Sequence, residues 1–338
     1  MSQGRFYTRS DQSTTDSLPV HGVPEDILDL SKVKAHVERA IQRNRFTGSA
    51  DPLEYLRERG CLRNVEGERF ATVAAVLCFG CQPQHFFPRA GVDIGHYRGT
   101  LPVSHEVIHL EKVGGTLFDQ LARIEAYLWT NTHHGMTLVP GKFERVEVHS
   151  YPQIAIRELC VNMLAHRDYM IHASAGRVML FKNRIEWASP GGLPPGVTID
   201  NILNEQHSRN PLVLDLLYDA GFVEAFGQGL DTVFAVMEEE GLPTPTLRDT
   251  GSSFIVTAFG RMEDAFAQDL YAQLSDIQQK IIDFIRTRGS VSPQEIRDLL
   301  PDRSRRSVQR DTSDLVEARL IEANGEGRAL RYRIPLYP

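Results

Sequence analysis

Glu158, Asn162 and His166 stand at i, i+4 and i+8 in the run Arg157-Glu158-Leu159-Cys160-Val161-Asn162-Met163-Leu164-Ala165-His166-Arg167-Asp168-Tyr169. On a helix of 3.6 residues per turn each step of four drifts by only about 40°, so the three polar groups share one face. The apolar residues between them can pack the rest of the helix into a core. A stripe of carboxylate, carboxamide and imidazole is costly to bury without partners. A carboxylate one turn before a carboxamide can polarise a water with one group and hold a magnesium ion with the other, because that ion prefers oxygen ligands. The same spacing also fits a helix with a solvated polar edge.

The segments after the helix decide what the stripe faces. Gly176 to Phe181 reads as a strand, Lys182-Asn183-Arg184 as a turn, and Ile185 to Ser189 as a second strand opening into the loop Pro190-Gly191-Gly192-Leu193-Pro194-Pro195-Gly196. Arg209-Asn210-Pro211 leads a further helical segment, and Gly221-Phe222-Val223-Glu224-Ala225-Phe226-Gly227-Gln228-Gly229-Leu230 opens another that runs to about Glu240. Helix with Glu and Asn, strand, turn, strand, glycine loop and Gly-x-Gly-Leu helix start is the order of GHKL (Bergerat-fold) ATP-binding domains. The four ordered motifs resemble, over roughly residues 50 to 260, a divergent GHKL-like family of bacteria and archaea. Its members are labelled as transcriptional regulators or as RecG-related helicase-like proteins.

The resemblance implies a role for each motif residue. Glu158 matches the general base that activates the hydrolytic water, and Asn162 the asparagine that holds magnesium. Gly227 and Gly229 match the second glycine box, whose bare amides at a helix start suit phosphate oxygens. Arg209 and Asn210 complete the expected ATP-binding set. The first glycine box departs from the family. Ser189 replaces the aspartate that receives the adenine amino group, and only Gly191 of its two glycines lines up. A hydroxyl accepts that hydrogen bond without charge assistance. ATP and magnesium are therefore the expected cofactors, with hydrolysis slow or absent.

Composition agrees with a multidomain chain. Of 338 residues 41% are apolar and 24% charged, enough for real cores under an ordinary surface. No apolar run approaches the roughly 20 residues of a membrane span, and Met1 to Ser17 has no signal-peptide core, so a cytoplasmic location is expected. Four cysteines form no disulfide framework, and the lone Cys78-Phe79-Gly80-Cys81 has no second pair at zinc spacing. Gly135 to Lys142 imitates a P-loop but has five residues between its glycines, where four are needed. Phe143 stands at the magnesium-binding hydroxyl position. A P-loop helicase motor is thus excluded. Of the twelve histidines only His105 and His109 stand at i, i+4, in His105-Glu106-Val107-Ile108-His109, a spacing that holds zinc only when it lies on a helix.

Gly4 to Thr15 resembles the closing strand and tail of the AlbA/schlafen-type domain that precedes the GHKL-like part in this family. The body of that domain is expected to be lacking, and its nuclease chemistry is not carried over. Residues 28 to 48 and 52 to 60 read as helices. Ala71 to Gly80, Pro83 to Pro88 and Val92 to Tyr97 read as two buried strands around a loop whose Phe86 and Phe87 belong to the core.

From Ser275 onward 12 Lys/Arg face 10 Asp/Glu, leaving 25 against 34 in the rest, so the tail rather than the body is suited to an anion. Its pattern is three helices and a hairpin. Ser292-Pro293-Gln294-Glu295 is a capped start, and Asn324-Gly325-Glu326-Gly327 a turn. This resembles a winged helix-turn-helix whose third helix enters the major groove of double-stranded DNA. Arg303, Ser304, Arg305, Arg306, Ser307 and Arg310 would supply that contact, with Arg328 and Arg331 on the wing. A docking or dimerisation module has the same pattern.

The expected fold is α/β. It comprises a polar tail (1–19), a mixed α/β subdomain (20–115), a GHKL-like α/β sandwich (116–260), a linker (261–271) and a winged helix (272–338), assembled as a homodimer. Two functions fit: a DNA-binding transcriptional regulator that binds ATP, or an ATPase of nucleic-acid processing or phage defence that docks through its winged helix.

Overall fold

The computed structural model describes residues 14–132, 134–138, 145–205, 207–223, 229–261, 274–317, 320–325, 327 and 330–334. They fall into two compact units, one within Met1–His134 and His149–Arg261, the other within Gly135–Val148 and Met262–Pro338.

The first unit opens with β1 (Pro19–Pro24), α1 (Leu30–Gln42), α2 (Pro52–Glu58), β2 (Leu62–Val65), β3 (Glu68–Thr72), α3 (Val73–Phe79) and α4 (Pro83–Phe86). The three strands form an antiparallel sheet in the order β1-β3-β2. Asp29 and Asp51 cap α1 and α2 by accepting backbone N–H bonds in their first turns. The α3 segment corrects the expectation of a strand over Ala71 to Gly80. Every residue of Val73–Phe79 is buried, and a run apolar on all sides has no periodicity to separate helix from strand. The decisive signal is Thr72, whose side chain accepts the Ala75 N–H and starts the helix. Phe87 is buried and Phe86 packs against the core, as expected.

The chain continues through β4 (Val92–Tyr97), β5 (Val107–Val113), α5 (Leu117–Asn131), the paired strands β6 (His134–Leu138) and β7 (Arg145–His149), and α6 (Gln153–Ala165). Next come β8 (Gly176–Leu180), β9 (Arg184–Pro190), α7 (Pro211–Ala220), α8 (Gly229–Glu239), β10 (Thr246–Asp249) and β11 (Ser253–Phe259). A six-stranded mixed sheet runs β10-β11-β9-β8-β4-β5, with β4 and β8 parallel and the other pairs antiparallel. The fold is α/β. Strands β4 and β5, expected in a separate subdomain ending at 115, belong to the same sheet as β8 and β9, and one apolar core runs from Val23 to Ala258.

Helix α6 packs between α5 and α8 and over β9. Trp187 donates its indole N–H to Cys160 Sγ at 3.3 Å, and Ser189 donates its hydroxyl to the Met163 carbonyl at 2.8 Å, so β9 is pinned along the helix. Two buried side chains then fix the end of α6. Arg167 is 1% exposed and donates to the carbonyls of Arg89, Gly91 and Ser174. Asn210 donates to those of Ala165 and Arg167. The buried Asp16 accepts the Val213 N–H and so caps α7 from a distant part of the chain.

A polar network is sealed beneath α1, α2 and α7. Tyr55 donates to Asp219 at 2.6 Å, and Arg59 grips both oxygens of that carboxylate. With the phenol proton so committed, His36 Nε2, 2.8 Å from the Tyr55 oxygen, must carry the hydrogen. Its Nδ1 is left buried without a partner beside Phe79 and Phe118. Burial, reinforced by Arg39 and Arg59, drives the imidazole pKa from 6.5 down to about 3. The unfolded chain therefore binds a proton that the folded chain refuses between these values, and stability should fall as pH drops from about 6.5 towards 3. Urea midpoints at pH 7.5 and pH 5 measure this effect. His36→Gln is expected to flatten the slope by on the order of 1 kcal/mol per pH unit. An unchanged slope assigns the dependence to other groups.

The second unit contains α9 (Asp276–Arg288), α10 (Pro293–Leu299), α11 (Arg305–Glu317), β12 (Glu322–Asn324) and β13 (Arg331–Arg333). Capping boxes at Ser275/Gln278 and Ser292/Glu295 start the first two helices. Its own core gathers Ile281, Ile285, Val291, Ile296, Val308, Leu315 and Ile321. Val291, between α9 and α10, exchanges two backbone hydrogen bonds with Tyr332 on β13 and adds a bridge to the β12–β13 hairpin. The expected linker, 261–271, lies outside the described residues beyond Arg261.

Candidate functional site

The burial of α6 isolates its polar stripe. Ala155, Ile156, Leu159, Cys160, Val161, Met163, Leu164 and Ala165 are buried, while Glu158 and Asn162 are half-buried and His166, which ends the helix, is exposed. The first turn of α8 faces the stripe. A methyl group built on Gly229 would lie 2.9 Å from Glu158 Oε2 and 3.0 Å from Asn162 Nδ2. With glycine there the helix start approaches these side-chain ends closely, and a larger residue would have to push them aside. Three expected site residues, Glu158, Asn162 and Gly229, are thus brought together. Gly227 lies outside the described residues.

About 12 Å along the helix, at its C-terminal end, a second group collects. Gly191 has φ +99°, and a Cβ there would stand 2.8 Å from Asp168 Cβ. Asp168 takes the Met170 N–H on one oxygen and Arg209 on the other, at 3.0 and 3.2 Å, while its own N–H donates to the Pro190 carbonyl. Arg209 also donates to the Gly192 carbonyl at 2.5 Å. His166 adjoins this group. Desolvation, helped by the charges of Arg209 and His207, lowers its pKa to about 4. The imidazole is neutral at pH 7 and available as a hydrogen-bonding or stacking surface.

The other expected binding residues take defined places. Ser189 is buried with its proton committed to Met163, leaving only lone pairs to accept a bond. Asn210 spends its amide hydrogens on the end of α6 and acts by position. Two carboxylates that the motif order does not single out flank the first glycine box: Asp168 beside Gly191, and Asp249, which accepts the Leu193 N–H at 3.1 Å. The signal for Asp168 is its place directly after the polar stripe in His166-Arg167-Asp168. Among the described residues no group of three His, Cys, Asp or Glu side chains could hold a metal. Glu158 and Asn162 fit magnesium only as part of a shell completed by phosphate oxygens and water, which that ion commonly retains.

In the second unit Ser304 Oγ accepts the Ser307 N–H and begins α11. Arg305, Arg306 and Arg310 are exposed on this helix. The remaining cations are engaged within the unit: Arg303 lies 3.7 Å from Asp311, and Arg331 bonds Ser290 and approaches Glu295. Arg328 lies outside the described residues.

With the sheet, the α6 stripe and the glycine approaches defined, comparison places residues 174–258 in an ATPase-like class. They match the family model described as "Putative ATP-dependent DNA helicase recG C-terminal". That segment holds Ser189, Gly191, Arg209, Asn210 and Gly229 and begins after Glu158 and Asn162. In fold the chain is similar to the crystal structure of the DIP2311 protein of Corynebacterium diphtheriae, with a TM-score of 0.61 and 19% identity over 97% of this chain. The chain spans 65% of that protein's length. No curated protein matches the sequence. No helix among the described residues is long and apolar enough to cross a membrane.

Proposed function

We propose that the chain is a cytoplasmic, homodimeric regulator that binds ATP through a GHKL-like domain and double-stranded DNA through a winged helix. The observation that carries the nucleotide reading is the approach of Gly229 to Glu158 and Asn162, which sets a helix start against an oxygen-bearing stripe. In this reading the phosphates lie at that end of α6 and the base at the other. There Asp168 supplies, beside Gly191, the carboxylate that Ser189 lacks, and Arg209 holds it in place. Asn162 would hold magnesium together with the phosphates, and bound magnesium would supply charge neutralisation there. Glu158 is the carboxylate at the phosphate end of the stripe, placed to take a proton from water. The winged-helix reading is supported by the three-helix order, the hairpin and the Val291–Tyr332 bridge.

Titration calorimetry with ATP and magnesium tests the proposal. Asn162→Ala is expected to weaken magnesium-dependent binding by roughly 10-fold or more, because it removes an ion ligand. If the wild-type chain gives neither heat nor thermal shift with any adenine nucleotide at millimolar concentration, the nucleotide reading is wrong.

A further inference from the structure

Away from the α6 stripe, Arg39, Arg43, Glu125, Arg157, Ala220, Gly221 and Phe222 line a cavity of about 190 Å³. Its walls come from the end of α1, from α5, from α6 and from the end of α7. We propose that this cavity is a binding site for a phosphate-type oxyanion, distinct from the nucleotide cleft.

Three guanidinium groups converge on one small polar space. Arg43 Nη1 donates to the Ala220 carbonyl at 2.7 Å, and Arg157 donates to the neighbouring Gly221 carbonyl. Two cations are thereby drawn to adjacent backbone atoms. Gly221 makes this possible, since a Cβ there would collide with Arg43 Nη1. Arg39, one helical turn before Arg43, uses its Nε on the Ala35 carbonyl. Among the described residues none of the three forms an ion pair, and Glu125 is the only carboxylate in the lining. Arg157 Nε is buried with no acceptor.

Capping of α7 accounts for one nitrogen each on Arg43 and Arg157. It leaves Arg39 unexplained and the buried Arg157 Nε without an acceptor, while Arg39 and Arg43 are exposed with donors open to an anion from solvent. Like charges held together repel, and an orphaned buried donor is costly. A tetrahedral oxyanion removes both penalties at once, because guanidinium forks match phosphate oxygens. The cavity has room for an inorganic phosphate or pyrophosphate. Arg157 precedes Glu158 on α6, and Gly221–Phe222 lies on the stretch of chain that leads towards Gly229.

Calorimetry on the full chain with inorganic phosphate and with pyrophosphate, at constant ionic strength, tests the site. The titrations are run without magnesium in the Asn162→Ala background, which lowers the cleft's contribution. Two substitutions of opposite expected sign separate a binding site from a structural cap. Arg39→Glu, which touches no part of α7, should weaken binding at least ten-fold. Glu125→Gln, which removes the only repelling charge, should tighten it several-fold. Equal affinities in the parent and both variants, or no saturable heat up to ten millimolar of either anion, would overturn the proposal. Tighter binding of pyrophosphate than phosphate would point to a diphosphate-bearing ligand, the reverse to a free or terminal phosphoryl group. This result stands apart from the nucleotide reading, since ATP binding by the wild type is neither required nor excluded by it.

Discussion

A chain ending at residue 271 is expected to lose duplex-DNA binding altogether while keeping its fold. The two units have separate apolar cores, one closed by Ala258 and the other opening at Ile281. Arg305, Arg306 and Arg310 lie exposed on α11, whereas Arg303, Arg331 and Arg333 are held by Asp311, by Glu295 with Ser290, and by Glu322. Most of the affinity should therefore come from the first three. Phosphate contacts weaken uniformly with salt, whereas a bidentate arginine–guanine contact is worth about 1–3 kcal/mol and depends on sequence. Arg306→Ala is expected to weaken binding to a selected site accordingly. Anisotropy titrations at two salt concentrations measure both effects. Undiminished binding by the truncated chain would make the second unit a docking or dimerisation module instead.

The second large effect concerns Glu158. Its carboxylate lies close to the start of α8, where a water could be held against a terminal phosphate, and Asn162 keeps its own place one turn further on. Glu158→Gln preserves the shape but cannot take a proton. Whatever hydrolysis the wild type shows should drop by roughly 10²-fold or more, the usual contribution of a positioned base, while ATP affinity changes only a few-fold. Phosphate release under saturating ATP and magnesium, read beside calorimetry, separates the two quantities. Hydrolysis at the wild-type rate in the variant would remove Glu158 from the chemistry.

The parts of the molecule legible in the sequence are those whose signals are local. The polar stripe of α6, the β8–β9 hairpin around Lys182-Asn183-Arg184 and the capped start at Ser292 are each written within a dozen residues. The α3 segment is not legible as a helix because full burial erases the alternation that distinguishes the two structures. The extent of the sheet is not legible either. Val92–Tyr97 reads as a strand, but nothing near it says that its neighbour is β8 rather than β2 or β3. The site divides in the same way. Glu158, Asn162 and Gly229 announce themselves by spacing and resemblance. The partnership of Asp168 with Arg209 across Gly191 depends on three distant segments meeting. Ser189 takes a base-binding role by resemblance, and only its bond to Met163 shows how its proton is spent.

The parallel pairing of β4 with β8 also bears on how the molecule comes into being. Val92 meets Gly176 only after α5 and α6 have been bridged over, and α6, which carries the cleft, lies inside that crossover. Contacts so distant in sequence must overcome the entropy of closing a long loop before they give anything back, and proteins built on them fold slowly. The hairpin β8–β9 and the helices of the second unit need no such closure and can form early. During synthesis the chain would thus expose the apolar flanks of α6 until β9 and α8 have emerged to cover them. That interval makes the nascent first unit, rather than the finished protein, the natural client of a chaperone and the stage at which substitutions in β4 or β8 would do most harm.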